Sequence, residues 1–159
     1  GMLRAAEAIC AVYPSLDADL LGAGVVLHDL GKIHEMASDA MGLVSEYTTE
    51  GLLLGHLVEG AAAVARAGEK LGTRKELVLM LQHMLISHHD LPEYGSPRRP
   101  MFPEAEVLHI LDLLDARMFE MAHALGQIAP GTFTDRIWSL DRKLYRRLEP
   151  DGGEGEGEM

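Results

Sequence analysis

Two side chains that bind divalent metals stand side by side in His28-Asp29-Leu30-Gly31-Lys32, directly after the apolar run Val25-Val26-Leu27. An imidazole and a carboxylate at a helix end are a start toward a metal-dependent hydrolase, although a buried histidine beside a capping aspartate reads the same way. Further donors of the same two kinds follow at His56, at the adjacent His88 and His89, and at Asp112. Borderline and hard divalent ions accept that set. His88 and His89 diverge by about 100° around a helix, so they reach one ion only near a frayed end, which Asp90-Leu91-Pro92 provides. Asp112 and Asp115 are three apart on one face, and spacing leaves both open as the closing acid. His109 shares that face and is a candidate supporting partner. Lys32 would ordinarily be solvated; beside a metal centre its ammonium can neutralise a substrate phosphate or a developing oxyanion. The other histidines, His34, His83 and His123, have no acid placed by spacing and read as surface or structural residues.

The elements that must position these donors are helical. Apolar residues recur at helical spacing almost throughout, and runs of alternating Val, Ile and Thr are missing, so the fold class expected is all-α. The spacing predicts six helices, at Leu3–Val12, Asp17–His28, Glu50–Leu71, Thr73–His88, Pro103–Leu125 and Thr134–Leu148. Ser15 or Asp17 suits the start of the second, Thr48 or Thr49 that of the third, and Thr73 with Glu76 forms a capping-box pattern for the fourth. Ala37 to Thr49 reads as a connecting loop. Met80, Met84, Met118 and Met121 fall in helix-spaced pairs and read as core filler, and Cys10 as a small hydrophobe.

A chain of 159 residues suits one domain, here residues 1–148, and the Gly/Glu sequence of residues 149–159 has nothing to bury and is expected to be disordered. The net charge is −11, and without the four acids of residues 151–159 the rest of the chain is still near −7. Such a surface repels phosphate backbones over a Debye length of about 8–10 Å, which disfavours extended nucleic-acid binding by this domain alone. A small anion drawn to a bound cation is compatible with it. Arg98, Arg99, Arg136, Arg142, Lys143, Arg146 and Arg147 form the basic clusters and read as a solvated face. A single cysteine fits a reducing cytoplasm, and no apolar run approaches the ~20 residues of a membrane span.

Five segments occur in a telling order: His-Asp-Leu-Gly-Lys, then Tyr47-Thr48-Thr49-Glu50-Gly51-Leu52-Leu53-Leu54-Gly55-His56, Leu85-Ile86-Ser87-His88-His89, Gly95-Ser96-Pro97 and Leu108 to Ala116. Together they resemble the HD domain of the YhaM-type bacterial 3′→5′ exoribonucleases, a likeness that extends through Ala124-Leu125-Gly126, Pro130-Gly131, Phe133-Thr134 and Arg136-Ile137. The resemblance implies an HD-type helical bundle of about six helices and a metal-dependent phosphodiesterase. It implies His28, Asp29, His56, His88, His89 and Asp112 as metal ligands, with Asp115 as a supporting acid. It assigns Asp29 to both ions of a two-metal centre and Lys32 to the phosphate oxygens. Manganese is the first expectation for the ion, with iron, nickel, zinc or magnesium as alternatives. The substrates it implies are 3′ ends of single-stranded RNA or DNA, or a small nucleotide.

The resembling family also carries an earlier histidine, in a Leu-Leu-Glu-His-like segment, and an N-terminal OB-fold that grips single strands. Neither has a counterpart before His28. Gly1 reads as the scar of a cleaved tag and Met2 as an internal start, so the expectation is the back part of a longer protein, with one or two ions and incomplete occupancy at the first position. The alternative expectation is a catalytically impaired fragment that serves as an oligomerisation or regulatory module, for instance in a homo-oligomer.

Overall fold

The computed structural model describes residues 1–38 and 44–148, and the Gly/Glu tail expected to be disordered lies outside the described residues. The chain forms two compact units, Gly1–Leu113 and a second from Leu114 onward. The elements run α1 (Met2–Val12), α2 (Ala18–Leu27), α3 (Lys32–Glu35, a single turn), β1 (Met36–Ser38), β2 (Val44–Tyr47), α4 (Thr49–Leu71), α5 (Lys75–Ser87) and α6 (Pro103–Gly126). The all-α expectation holds. Among the described residues, no helix is long and apolar enough to cross a membrane.

In the first unit the core forms where α1, α2, α5 and the start of α6 meet: Ala6, Leu20, Leu21, Val25, Met84, Ala105, Leu108 and Leu111 are buried together. Buried positions on α6 at 104, 105, 108 and 111 follow helical spacing, which carries Asp112 to the edge of that core. Asp17 starts α2, its Oδ1 accepting the N–H groups of Asp19 (3.0 Å) and Leu20 (2.9 Å). Its own N–H donates to the buried Glu104 Oε1 at 2.7 Å, tying the start of α2 to the start of α6. Thr48 caps α4, accepting the Gly51 N–H at 2.9 Å.

Three expectations are corrected. The Thr73–Glu76 capping box does not form: α5 begins at Lys75, with no side-chain cap. Gly72 takes a left-handed conformation (φ 65°), and the Thr73 N–H donates to Gly68 O at 2.9 Å, so Thr73 serves to close α4. Of the stretch from Ala37 to Thr49, read as a loop, residues 39–43 lie outside the described residues, and the rest includes a short antiparallel pairing that joins Met36 with Tyr47 and Ala37 with Glu46. Strands of three and four residues are too short to show alternation in a sequence.

The helix expected at Thr134–Leu148 is absent. In the second unit, after the end of α6, the chain folds back as an irregular antiparallel hairpin. Phe133 pairs with Tyr145 and Ile137 with Arg142 around a 3₁₀ turn at Trp138–Leu140. Phe133, Ile137, Leu140, Leu144 and Leu148 imitate a helical stripe, but the backbone groups pair across the turn. Thr134 N–H donates to Leu144 O (2.9 Å) and Leu144 N–H to Thr134 Oγ1 (3.0 Å). Asp141, at φ 54°, turns the chain and pairs with Arg136. Arg146 Nη1 donates to Ile128 O at 2.6 Å, anchoring the returning strand just past α6.

Candidate metal centre

The first unit brings His28, Asp29, His56, His88, His89 and Asp112 together from four helix ends and faces. His28 is the residue at which α2 ends, and His88 that at which α5 ends. A helix end leaves carbonyls without partners. Each of these rings fills one of them: His28 Nδ1 lies 2.9 Å from Val25 O, and His88 Nδ1 lies 2.8 Å from Leu85 O. A carbonyl only accepts, so Nδ1 carries the proton and the lone pair of the neutral ring is at Nε2. His89 follows the same rule through Tyr94 O at 2.8 Å, and its N–H donates to the buried Ser96 Oγ at 3.0 Å. The end of α5 expected to fray at Asp90 does so, with Asp90 at φ 65°. His109 Nδ1 donates to His88 O at 2.8 Å.

Asp29 stands in the middle. Its Oδ2 lies 2.8 Å from Lys32 Nζ and 3.4 Å from His28 Nε2; its Oδ1 lies 3.6 Å from His56 Nε2 and 3.9 Å from His88 Nε2. Asp112 Oδ1 is 3.5 Å from His28 Nε2, whereas Asp115, one turn along α6, is exposed. The ligand atoms of His56, His88 and His89 all lie within 4.8 Å of one another, a cluster that could hold a metal ion.

Three buried atoms decide the character of the site: Asp29 Oδ1, His56 Nε2 and His88 Nε2 are buried without a hydrogen-bond partner. Leaving such a group unsatisfied costs about 1–3 kcal/mol, and Asp29 Oδ1, at 3.6 Å from His56 Nε2 and 3.9 Å from His88 Nε2, is too far from either for a hydrogen bond. With metal–ligand distances near 2.0–2.2 Å, donors around one ion lie roughly 3–4 Å apart, which is the spacing found. The donor set therefore fits a divalent cation.

Electrostatics divide the site. Burial is the largest influence on His28 and works against its charged form. The hydrogen bond to Asp112 and the charge of Asp29 outweigh it and raise its pKa. Asp112 is pushed up by burial, but the hydrogen bond from His28 and the neighbouring imidazoles bring it below the usual carboxylate value. His88, only 1% exposed, is lowered to about 4 by burial and then by His89, so its ring is neutral at pH 7.

The remaining histidines behave as read: His34 and His123 are exposed, and His83 accepts the Met101 N–H at 3.1 Å. The sequence reading missed Glu35, whose carboxylate lies 3.1 Å from His56 Nδ1, and Gly55, whose non-helical backbone (φ 71°, ψ 162°) kinks α4 just before His56. It also missed Gly31 as a contact point, where a side chain would run into the backbone of His56. Glycine before a histidine was the only local signal for the kink.

The chain is similar to proteins named 3′-5′ exoribonuclease YhaM. That of Bacillus licheniformis is 46% identical over 144 residues, which is 91% of this chain and 45% of that protein. Those of Bacillus subtilis strain 168 and Geobacillus sp. strain WCH70 are also 46% identical, over 91% of this chain and 45% and 44% of theirs. The chain thus spans about 45% of the length of the curated relatives it matches. No solved structure gives a significant match. The HD domain model matches residues 1–117, a span that includes every donor from His28 to Asp112, and the chain belongs to the HD domain family.

Proposed function

We propose that this chain is the metal-binding, hydrolytic part of a phosphodiesterase that removes nucleotides from 3′ ends of single-stranded RNA. The observation that carries the reading is the convergence of Asp29 Oδ1, His56 Nε2 and His88 Nε2, buried and unpartnered. The names of the relatives support the substrate class. We assign His28, Asp29 and Asp112 to one pole of the site, and His56, His88 and His89 to the other, with Asp29 serving both. Manganese is our first candidate for the ion, and the cytoplasm, on the strength of the lone cysteine, our candidate location.

A divalent ion bound there supplies Lewis acidity toward the phosphodiester and lowers the pKa of water. The chain's own residues do the rest. Asp29 presents one oxygen to each pole. Imidazoles with Nδ1–H held by fixed acceptors present their lone pairs without rotating. Lys32, 42% exposed at its side chain, holds its ammonium 2.8 Å from Asp29 Oδ2, where it can also take a non-bridging phosphate oxygen. The strongly negative surface elsewhere leaves the grip on longer strands to other parts of the protein.

The test is metal titration of the chelator-stripped chain by calorimetry with manganese and cobalt, followed by incubation with a 5′-labelled single-stranded RNA. Stoichiometric binding is expected, weakened at least tenfold in His88→Gln, together with manganese-dependent shortening from the 3′ end that Asp29→Asn abolishes. A wild-type chain that binds neither ion and leaves the RNA intact overturns the proposal.

A further inference from the structure

We infer that Glu35 is the positioning residue of His56, holding the Nδ1–H of that ring so that only Nε2 faces the centre. This rests on the metal-centre reading above for its consequence, but its geometry stands alone. His28 and His88 each follow the end of a helix and borrow a free carbonyl three residues back. His56 is held differently. The non-helical backbone of Gly55 makes His56 the first residue of a new helical segment and breaks its helical register with the carbonyls of the preceding turn. The acceptor for its ring comes from elsewhere in the chain.

Glu35 is that acceptor. Its Oε2 is 3.1 Å and its Oε1 3.2 Å from His56 Nδ1, and Oε1 also takes the His56 backbone N–H at 3.2 Å. One carboxylate thus caps the restarted helix and orients the ring, across 21 residues of sequence. Both side chains are nearly buried, at 13% and 12% exposure. The backbone of Glu35 is held as firmly. Its N–H donates to Gly31 O (3.0 Å), and its carbonyl accepts the Thr48 N–H (3.0 Å) and hydroxyl (3.3 Å). A carboxylate acceptor also makes the imidazole a stronger ligand than a neutral carbonyl does, which sets His56 apart from His28, His88 and His89.

The experiment uses the ¹⁵N-labelled, metal-free chain. Two-bond ¹H–¹⁵N spectra of the histidine rings report each tautomer, with the His56 signals identified by their loss in His56→Gln. The wild type is expected to show His56 as the Nδ1–H form, and Glu35→Ala a mixture with the Nε2–H form. Cobalt affinity should fall about 10- to 100-fold in Glu35→Ala and less in Glu35→Gln, whose amide oxygen can still take one N–H. If Glu35→Ala does not fold, the isosteric Glu35→Gln carries both comparisons. An unchanged Nδ1–H tautomer with wild-type cobalt affinity overturns the inference. A wild type that binds no cobalt defeats the metal-centre reading instead, while the tautomer spectrum still decides the role of Glu35.

Discussion

Replacing Gly31 by Ala tests how tightly the His-Asp turn is locked against α4. Gly31 has φ −62° and ψ −22°, which alanine adopts freely, so the backbone at this position imposes no penalty. The smaller entropy of the unfolded alanine chain would even stabilise the variant by about 0.4–1 kcal/mol. Against that, a Cβ at Gly31 would sit 2.7 Å from both Cα and the carbonyl carbon of His56, and closer still to its oxygen. All three are backbone atoms that cannot rotate aside, so the two segments must separate by about 1 Å to restore ordinary contact. Overpacking of that kind costs about 1–3 kcal/mol, and with no side chain to give way the upper half applies, for a net loss of about 1–2 kcal/mol. Because the displaced residue is His56 itself, and ligand distances are held to within roughly 0.2 Å, cobalt affinity should fall tenfold or more. Urea unfolding of the stripped chain measures the first effect and calorimetric titration the second. Gly22→Ala is the control: it lies within α2, a Cβ there would meet no atom within 4 Å, and it should gain about 0.5–1 kcal/mol with no change in metal affinity. A Gly31→Ala chain that matches Gly22→Ala in stability and the wild type in affinity would refute the packing argument.

Two other expectations concern the same unit. His88 is lowered to about 4 in the folded chain against 6.5 in the unfolded one, so between pH 6.5 and 4 the unfolded state takes a proton that the folded state refuses. Stability of the chelator-treated protein should therefore fall across that window by up to about 3 kcal/mol more than in His88→Gln; parallel urea midpoints for the two proteins would contradict it. His28, raised, opposes this trend, since its folded form takes a proton first, which is why the difference between the two proteins is the quantity to measure. Leu108→Ala, at a fully buried position one turn before Asp112, should cost about 2–5 kcal/mol in thermal or urea unfolding, whereas Leu52→Ala, 73% exposed, should stay within about 0.5 kcal/mol.

How much of this could be read in the sequence depends on the distance over which each feature is encoded. The donors were legible because residue type alone marks them, and because His-Asp after Val25-Val26-Leu27 and His-His before Asp90-Leu91-Pro92 sit at helix ends that local composition reveals. The long helices were legible for the same reason, down to Asp17 and Thr48 as caps. The stretch from Thr134 to Leu148 misled because a hairpin with irregular register can carry apolar residues every three or four positions, and the pairing of Thr134 with Leu144 that decides the matter is invisible to a periodicity count. Spacing could not choose between Asp112 and Asp115 because both lie on one helix face; the packing of Leu108 and Leu111 determines which side of that face meets His28.

Glu35 and Gly55 escaped for a deeper reason. A histidine at a helix C-terminus carries its orienting acceptor with it, three residues back, so His28 and His88 are complete motifs in themselves. His56, after the break at Gly55, takes its acceptor from Glu35, a residue whose place is fixed by tertiary structure. The first kind of oriented histidine therefore survives in a short sequence pattern and the second does not. From this it follows that the pole of the site built on His56 depends on the α3–α4 contact through Gly31, Thr48 and Glu35, while the pole built on His28 depends mainly on α2 ending where it does. On the proposed assignment, in which Asp29 serves both poles, perturbing the α3–α4 contact should loosen the pole of His56 and spare that of His28.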